Sequence, residues 1–373
     1  MKGEPVVRDG GATWAATAAI LRPDDPCFRI EPVTVGPPRA DEVVVEIVAT
    51  GICHAEMAVR DRLLPAPLPI ILGHEGAGHV VACGDSVTRL KVGDSVVLSY
   101  LSCGDCRECN DGSPANCGQF GALGLSGHRP DGSHAVHSSA EPMLNDRFFG
   151  QSSFATIAVA NERNAVKVDA DVPLEMLGPL DCGVMTGAGA IWNELRVTPG
   201  SSLAVFGAGA VGLSAVMAAR VAGAGEIVAV DRVESRLECA LELGATRVVV
   251  AGTRVARSGG FDFALDTTGD STVIAGAIAC LGQRGTVGYV GHDPRRGPLP
   301  LDLGDMLSKS KRLIAIVEGG GSSQLMIPKL VDLYRAGHFP FDRMIRLYPF
   351  EAINDAVADS EAGRTVKPVL VMR

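Results

Sequence analysis

The 373-residue sequence has no apolar run approaching the ~18 residues that a membrane-spanning helix needs, and even segment 203–216 is broken by glycines. A helical membrane span is excluded. A block of Lys and Arg is missing too. The 34 basic residues are outnumbered by 43 acidic ones, for a net charge of −9. Nucleic acids and anionic membrane surfaces require clustered positive charge, so small molecules are the expected partners, with no nucleic acid and no membrane. No repeat at solenoid spacing runs through the chain. Nor do the first ten residues carry the charged and then apolar regions of a secretory leader. A cytoplasmic location is the expectation. In a reducing compartment disulfides are rare, so clustered cysteines point to metal or catalysis before cross-links.

What is present describes a compact folded chain. With 46% hydrophobic and 21% charged residues, 45 Gly and 22 Pro, the composition excludes a disordered chain and implies many tight turns. The length suits two domains, each able to bury a core. Between residues 43 and 97, short β-branched runs (43–48, 79–82, 94–98) alternate with Gly/Asp turns and predict small antiparallel strands of a barrel-like domain. From 99 to 154 the periodicity disappears, a stretch too long for an ordinary connection unless something pins it. After Leu195 the pattern becomes strand, Gly turn, helix, repeated. Strands are predicted at 202–206, 226–230, 247–250, 261–266 and 285–290, with helices at 211–222, 234–243 and 272–280. This interleaving is that of a parallel, doubly wound sheet. Segment 338–373 returns to short strands and one helix (350–359) and is placed back on the first domain. The expected fold class is α/β: a doubly wound dinucleotide-binding domain at 186–320 and a discontinuous β-rich domain at 1–185 and 321–373.

Gly207-Ala208-Gly209-Ala210-Val211-Gly212 is G-x-G-x-x-G, directly after a predicted strand and opening an apolar helix. The first Gly permits the tight turn, the second lets backbone amides approach a pyrophosphate, and the third lets the helix pack on the strand. The next strand runs into Asp231, 19 residues after Gly212, where a carboxylate can accept from a ribose 2′-OH. That acid favours NAD over NADP, because it would repel a 2′-phosphate. Arg232 beside it reads as a solvated neighbour or an adenine-stacking face. Arg236 reads equally as a contact to the adenosine ribose or as a surface charge. Val290, closing the strand predicted at 285–290, and His292 just after it are further candidate cofactor contacts, with His292 alternatively a turn residue before Asp293-Pro294.

The cysteines fall into two sets. Cys103, Cys106, Cys109 and Cys117 place four thiols within fifteen residues. Zinc prefers four tetrahedral ligands, and an all-thiolate shell leaves no open position, so a structural zinc that ties down the irregular loop is predicted. Cys53, His74 and Cys182 are scattered. A lone Cys is usually a small buried hydrophobe, and only their joint appearance with a dinucleotide domain singles them out. Cys27, Cys83, Cys239 and Cys280 have no metal-like spacing and read as packing residues. His128, His134 and His137 read as surface residues of the loop.

Gly51-Ile52-Cys53-His54, Gly73-His74-Glu75-x-x-Gly78, the four-cysteine lobe, Cys182-Gly183-x-x-Thr186-Gly187, the glycine turn and Lys367-Pro368-Val369-Leu370 carry a resemblance. The sequence resembles the zinc-dependent medium-chain alcohol dehydrogenases over essentially its whole length, and within them the aryl or allylic (benzyl-type) enzymes. The resemblance implies a Rossmann domain with a GroES-like catalytic domain, two zinc ions per chain, NAD, and hydride transfer between a primary alcohol and its aldehyde. It implies that Cys53, His74 and Cys182 hold a catalytic zinc whose fourth position takes the substrate oxygen, or Glu75 transiently. Two thiolates and an imidazole around an open position agree with the general chemistry of such zinc. It further implies that Glu56 fixes the His74 tautomer, that His54 and Lys367 contact the cofactor pyrophosphate, and that Thr186 packs near the nicotinamide. Subunits of the family pair edge to edge through the cofactor sheet, so a homodimer, or a tetramer, is expected.

The sequence departs from its relatives at one chemically important place. The residue two after the first zinc Cys, often Ser or Thr there, passes the alcohol proton towards solvent, but here it is Ala55. A second relay position, commonly His in liver-type enzymes, is Ala58. A water, or His54 or the nicotinamide ribose acting through one, could fill the gap. Alternatively the protein is a repurposed biosynthetic reductase or a redox-silent member. A thiol-adduct dehydrogenase is a third reading, without a basic pocket residue to support it. The positions that line the pocket in relatives are Ala55, Ser99, Ala122, Phe148, Phe149 and His292, which favours a bulky or aromatic alcohol.

Overall fold

In the computed structural model, residues 6–8, 11–169, 171–253 and 255–372 are described; of the opening stretch weighed above as a leader, only 6–8 fall within them. The chain forms two compact units: Met1–Cys182 with Ser322–Pro328 and Ile345–Arg373, and Gly183–Gly321 with Lys329–Met344.

The first unit is built on two sheets. Gly11–Arg22 and Asp25–Val35 form a long antiparallel ribbon, extended by Val6–Arg8, Ile70–Ile71 and Val136–His137. No element was expected before residue 43, because the alanine-rich run 15–19 lacks β-branched alternation; pairing along the ribbon overrides that weak preference. The larger sheet runs Ala165–Val168, Ser95–Leu98, Glu75–Cys83, Glu42–Gly51, Lys367–Val371, Ile345–Pro349, with Ile157–Asn161 also on Glu42–Gly51. Its inward face packs Val43, Val45, Ile47, Val80, Val96 and Leu98, all nearly or fully buried. The strand Lys367–Val371 runs antiparallel to Glu42–Gly51, with Val369 opposite Gly51. That register delivers Lys367 to the end of the strand from which Cys53 follows.

The second unit holds a six-stranded parallel sheet in the order Arg247–Val250, Glu226–Asp231, Ser202–Phe206, Phe261–Asp266, Leu281–Tyr289, Arg312–Ala315. This is the dinucleotide-binding order of a doubly wound fold. Its central strands read as continuous apolar runs because both faces are covered; Leu203, Ala204 and Val205 are fully buried. Ala210–Val221, Glu234–Leu243 and Ser271–Ala279 are the expected helices, within a residue or so of their predicted ends. Residue 321 and two longer segments assigned from sequence to the first domain lie in the second unit. Residues 183–185 start a helix, Gly183–Gly189, that packs so closely on Ala210–Val221 that a Cβ on Gly187 would stand 2.1 Å from the Val211 carbonyl. Lys329–Met344 is held there by Trp192, whose ring lies 4.0 Å from the Lys329 ammonium and 6.1 Å from the Phe339 ring.

Candidate functional site

Cys53, His74, Glu75 and Cys182 come together with ligand atoms within 4.8 Å of one another. Cys53 stands at the N-terminus of helix His54–Arg60, straight after Glu42–Gly51, and His74 immediately precedes Glu75–Cys83. The turn before His74 needs glycine: Gly73 has φ +90°, and a Cβ there would sit 2.4 Å from the Phe154 nitrogen. The Cys53 and Cys182 sulfurs are 3.6 Å apart, well beyond the ~2.05 Å of a disulfide.

Glu56 organises this cluster. One carboxylate oxygen lies 2.5 Å from His74 Nδ1 and the other accepts the Cys53 backbone N–H at 2.9 Å. A carboxylate oxygen accepts from Nδ1, so Nδ1 carries a proton, and in the neutral ring that a metal binds Nε2 presents its lone pair. Nε2 is buried and has no hydrogen-bond partner. A buried, unpartnered imidazole nitrogen beside two thiols is what a zinc ion would complete, and the donor set suits one. A hydrogen bond with Cys182, with the Lys367 charge and His74 assisting, pulls the Cys53 thiol well below its ordinary range against the effect of burial. The metal-binding form of cysteine is the thiolate.

Glu75 is fully buried, and burial pushes its carboxyl up to about 7 in spite of Lys367. Lys367 Nζ donates to both carboxylate oxygens, at 2.7 and 3.0 Å, and to the Ile52 carbonyl at 3.1 Å. Two glycines make room for this acid: a Cβ on Gly51 would stand 1.9 Å from its Oε2, and one on Gly178 2.3 Å from its carbonyl. The Lys367–Glu75 pair, 292 positions apart, had no signal in the sequence. Gln151 had none either. Its amide donates to the carbonyls of His74 (2.7 Å) and Ser99 (3.2 Å) and accepts from the Gly76 N–H (3.1 Å), clamping the backbone on both sides of Glu75. Phe149 stacks on the His74 ring at 4.5 Å and Phe148 meets it edge-on at 5.6 Å. His54 is exposed, and Ala55 and Ala58 are half-buried.

The second cluster, Cys103, Cys106, Cys109 and Cys117, also gathers within 4.8 Å. The closest sulfurs, those of Cys103 and Cys117, are 3.4 Å apart. Backbone N–H groups of Cys109 and Gly118 bring the Cys106 thiol down to about 7, while its neighbour Cys103, beside Asp105, is pushed up to about 12. Gly104 and Gly112, both at φ +81°, turn the chain back on itself. Among the histidines of this loop, His134 pairs with Asp146 at 3.3 Å and His128 lies 2.7 Å from the Arg129 carbonyl.

In the second unit Gly207 has φ +95°, and a Cβ on Gly212 would lie 1.8 Å from the Gly207 carbonyl. A Cβ on Gly209 would meet nothing within 4 Å, so the turn leaves an open cradle above it. Gly209 caps Ala210–Val221, whose free N–H groups suit a pyrophosphate. Asp231 accepts the Ala208 and Val233 N–H groups at 2.6 and 2.9 Å. Arg232 is exposed, while Arg236 Nε is buried without a partner. Thr186 donates to Glu318 at 3.4 Å. Val290 is half-buried and His292 exposed, just past Leu281–Tyr289.

A parallel nucleotide-binding sheet in a chain that also carries two cysteine-containing clusters with metal-ligand geometry is the organisation of a zinc-binding oxidoreductase. Residues 39–170 match the family described as alcohol dehydrogenase GroES-like domain, and 210–335 match zinc-binding dehydrogenase. The chain is 48% identical to geraniol dehydrogenase of Castellaniella defragrans over 96% of its own length and 98% of that protein. Two solved structures are similar. An alcohol dehydrogenase zinc-binding domain protein from Burkholderia ambifaria has 49% identity and TM-score 0.94, covering 97% of this chain and 100% of that one. Benzyl alcohol dehydrogenase from Acinetobacter calcoaceticus has 45% identity and TM-score 0.92, covering 96% and 99%. The chain belongs to the zinc-dependent medium-chain alcohol dehydrogenases. It is an enzyme of the alcohol dehydrogenase type.

Proposed function

We propose that this enzyme moves a hydride between NAD(H) and a bulky primary allylic or aromatic alcohol or its aldehyde. The observation that carries the proposal is the cluster of Cys53, His74 and Cys182, with Glu56 setting the His74 tautomer so that an unpartnered Nε2 faces two thiols. Zinc bound there lowers the pKa of a hydroxyl and polarises a carbonyl, and NAD supplies the hydride acceptor. Cys53, His74 and Cys182 are the permanent ligands. Glu75, tethered by Lys367, is the transient one. The lobe of four cysteines holds a second, structural zinc. Gly207, Gly209, Ala210, Val211 and Gly212 cradle the pyrophosphate, and Asp231 selects NAD by rejecting a 2′-phosphate.

The relatives named for geraniol and benzyl alcohol support an allylic or aromatic substrate, and Phe148 and Phe149 against His74 provide apolar surface for one. No feature of the cluster favours the repurposed or redox-silent reading, since every donor is present. A homodimer through the cofactor sheet is supported by the edge strand Arg312–Ala315 and by Leu303 and Leu307, 71% and 83% exposed. No helix among the described residues is long and apolar enough to cross a membrane, and we assign the enzyme to the cytoplasm. The test is NADH-linked turnover against aromatic, allylic and short aliphatic alcohols, on protein of measured zinc content. Two zinc ions with allylic or benzylic turnover are expected; two zinc ions without any turnover would overturn the reading.

A further inference from the structure

Buried side-chain atoms without a hydrogen-bond partner among the described residues include His74 Nε2, Arg236 Nε and Ser99 Oγ. Leaving a buried polar atom unpaired is destabilising, so each such atom calls for a partner from outside the chain. His74 has one in the proposed zinc. Arg236, one turn into the helix after Asp231, has one in the proposed cofactor. Ser99 has none assigned.

Ser99 is fully buried, and its backbone is fixed: its N–H donates to the Asn164 carbonyl at 2.7 Å and its carbonyl accepts the Asn164 side-chain amide at 2.8 Å. Two contacts put it beside the cluster. The Gln151 amide that holds the Ser99 carbonyl holds the His74 carbonyl as well. Phe149, stacked on His74, takes the Leu101 N–H on its carbonyl at 3.2 Å. Leu98 belongs to the apolar core of the large sheet, and alternation turns Ser99 to the other side. Ser99 therefore stands on a rigid wall next to His74, its hydroxyl buried and without a partner among the described residues.

We propose that the Ser99 hydroxyl hydrogen-bonds the reacting oxygen of the substrate, providing from this wall the hydroxyl that Ala55 lacks. The proposal rests on the zinc alcohol dehydrogenase reading above. A hydroxyl both donates and accepts, so Ser99 serves an alcohol as acceptor and an aldehyde as donor, and no bond is made or broken at it. It follows that the hydroxyl is needed for binding and turnover and contributes nothing to folding.

Ser99→Ala, Ser99→Cys and the double variant Ser99→Ala/Ala55→Thr are compared with the zinc- and NAD-loaded wild type. Turnover is measured, along with thermal midpoints and calorimetric binding of trifluoroethanol, an alcohol that resists oxidation. Expected are unchanged or higher midpoints, a loss of about ten- to a hundredfold in kcat/KM and in trifluoroethanol affinity in both single variants, and recovery in the double variant. Ser99→Ala with wild-type turnover and affinity would overturn the proposal. If the wild type oxidises no alcohol, the functional reading fails separately. Trifluoroethanol affinity then still decides the role of Ser99: a loss in Ser99→Ala supports it and an unchanged affinity overturns it.

Discussion

Replacing Glu56 by Ala should strip zinc from one cluster and leave the other intact. Glu56 is fully buried and makes two hydrogen bonds to the cluster, one to His74 Nδ1 and one from the Cys53 N–H. Hydrogen bonds to a charged acceptor contribute about 1.5–3 kcal/mol each. Only the part that differs between the zinc-loaded and empty protein appears in metal affinity. Losing a partner of this kind costs about 10–100-fold, or about 1.4–2.8 kcal/mol. The Cys103–Cys117 lobe makes no use of Glu56. A chelator titration with a colorimetric zinc indicator should therefore show one zinc leaving at a 10–100-fold lower chelator concentration than in the wild type, with the second unmoved. Glu56→Gln is the control: its carbonyl can still accept from His74, but its amide cannot accept from Cys53, so its loss should be smaller. If both ions leave as in the wild type, or the lobe empties first, Glu56 does not orient a metal ligand.

Three other outcomes follow from the structure. Cys106→Ser should reduce the zinc content from two per chain to one and increase proteolysis within residues 103–117, a segment that takes part in no sheet. Asp231→Ser should raise kcat/KM with NADP relative to NAD by about tenfold or more, as one charged acceptor is lost, with a lower thermal midpoint because the Ala208 and Val233 N–H groups lose their acceptor. Glu42→Gln should destabilise the first unit by about 3–5 kcal/mol, measured by urea unfolding, since Arg129 and Arg147 would lie buried around a neutral group. Burial raises the Glu42 carboxyl, but the Arg129 fork and Arg147 outweigh it and hold it below the usual range. Wild-type stability from this acid is thus complete above pH about 4.3, the unfolded value, and falls as pH drops through the lower folded value. The variant should lack that part of the acid limb.

The parts that could be read from sequence are those whose chemistry is local. Three glycines between a strand and a helix, and four thiols in fifteen residues, each describe a complete turn of chain. Cys53, His74 and Cys182 became a site only through resemblance, because the strands that bring them together are fixed by pairing across the whole unit. Gln151 and Lys367 act on residues 77 and 292 positions away. Nothing near either one announces its partner, and Lys367 was read as a pyrophosphate contact without its carboxylate neighbour. The strand Gly11–Arg22 escaped because an alanine-rich run has no period-two signal, and 329–344 because a tryptophan cation contact decides its place rather than composition.

The strand Lys367–Val371 lies in the interior of the large sheet, between Glu42–Gly51 and Ile345–Pro349, and this has a consequence during synthesis. The first 182 residues leave the ribosome long before the strand they need. At ordinary translation rates of about 5–20 residues per second, the cysteines and histidine of the cluster wait roughly 10–40 s for Lys367. Meanwhile the Ala49–Gly51 end of that strand's edge stays open and Glu75 lacks the Lys367 counter-charge. The four-cysteine lobe, closed within its own fifteen residues, can take zinc as soon as it emerges. On the function proposed above, metal loading is ordered in time, lobe first and the cluster of Cys53, His74 and Cys182 later, and a nascent chain arrested between residues 117 and 182 should hold a single zinc.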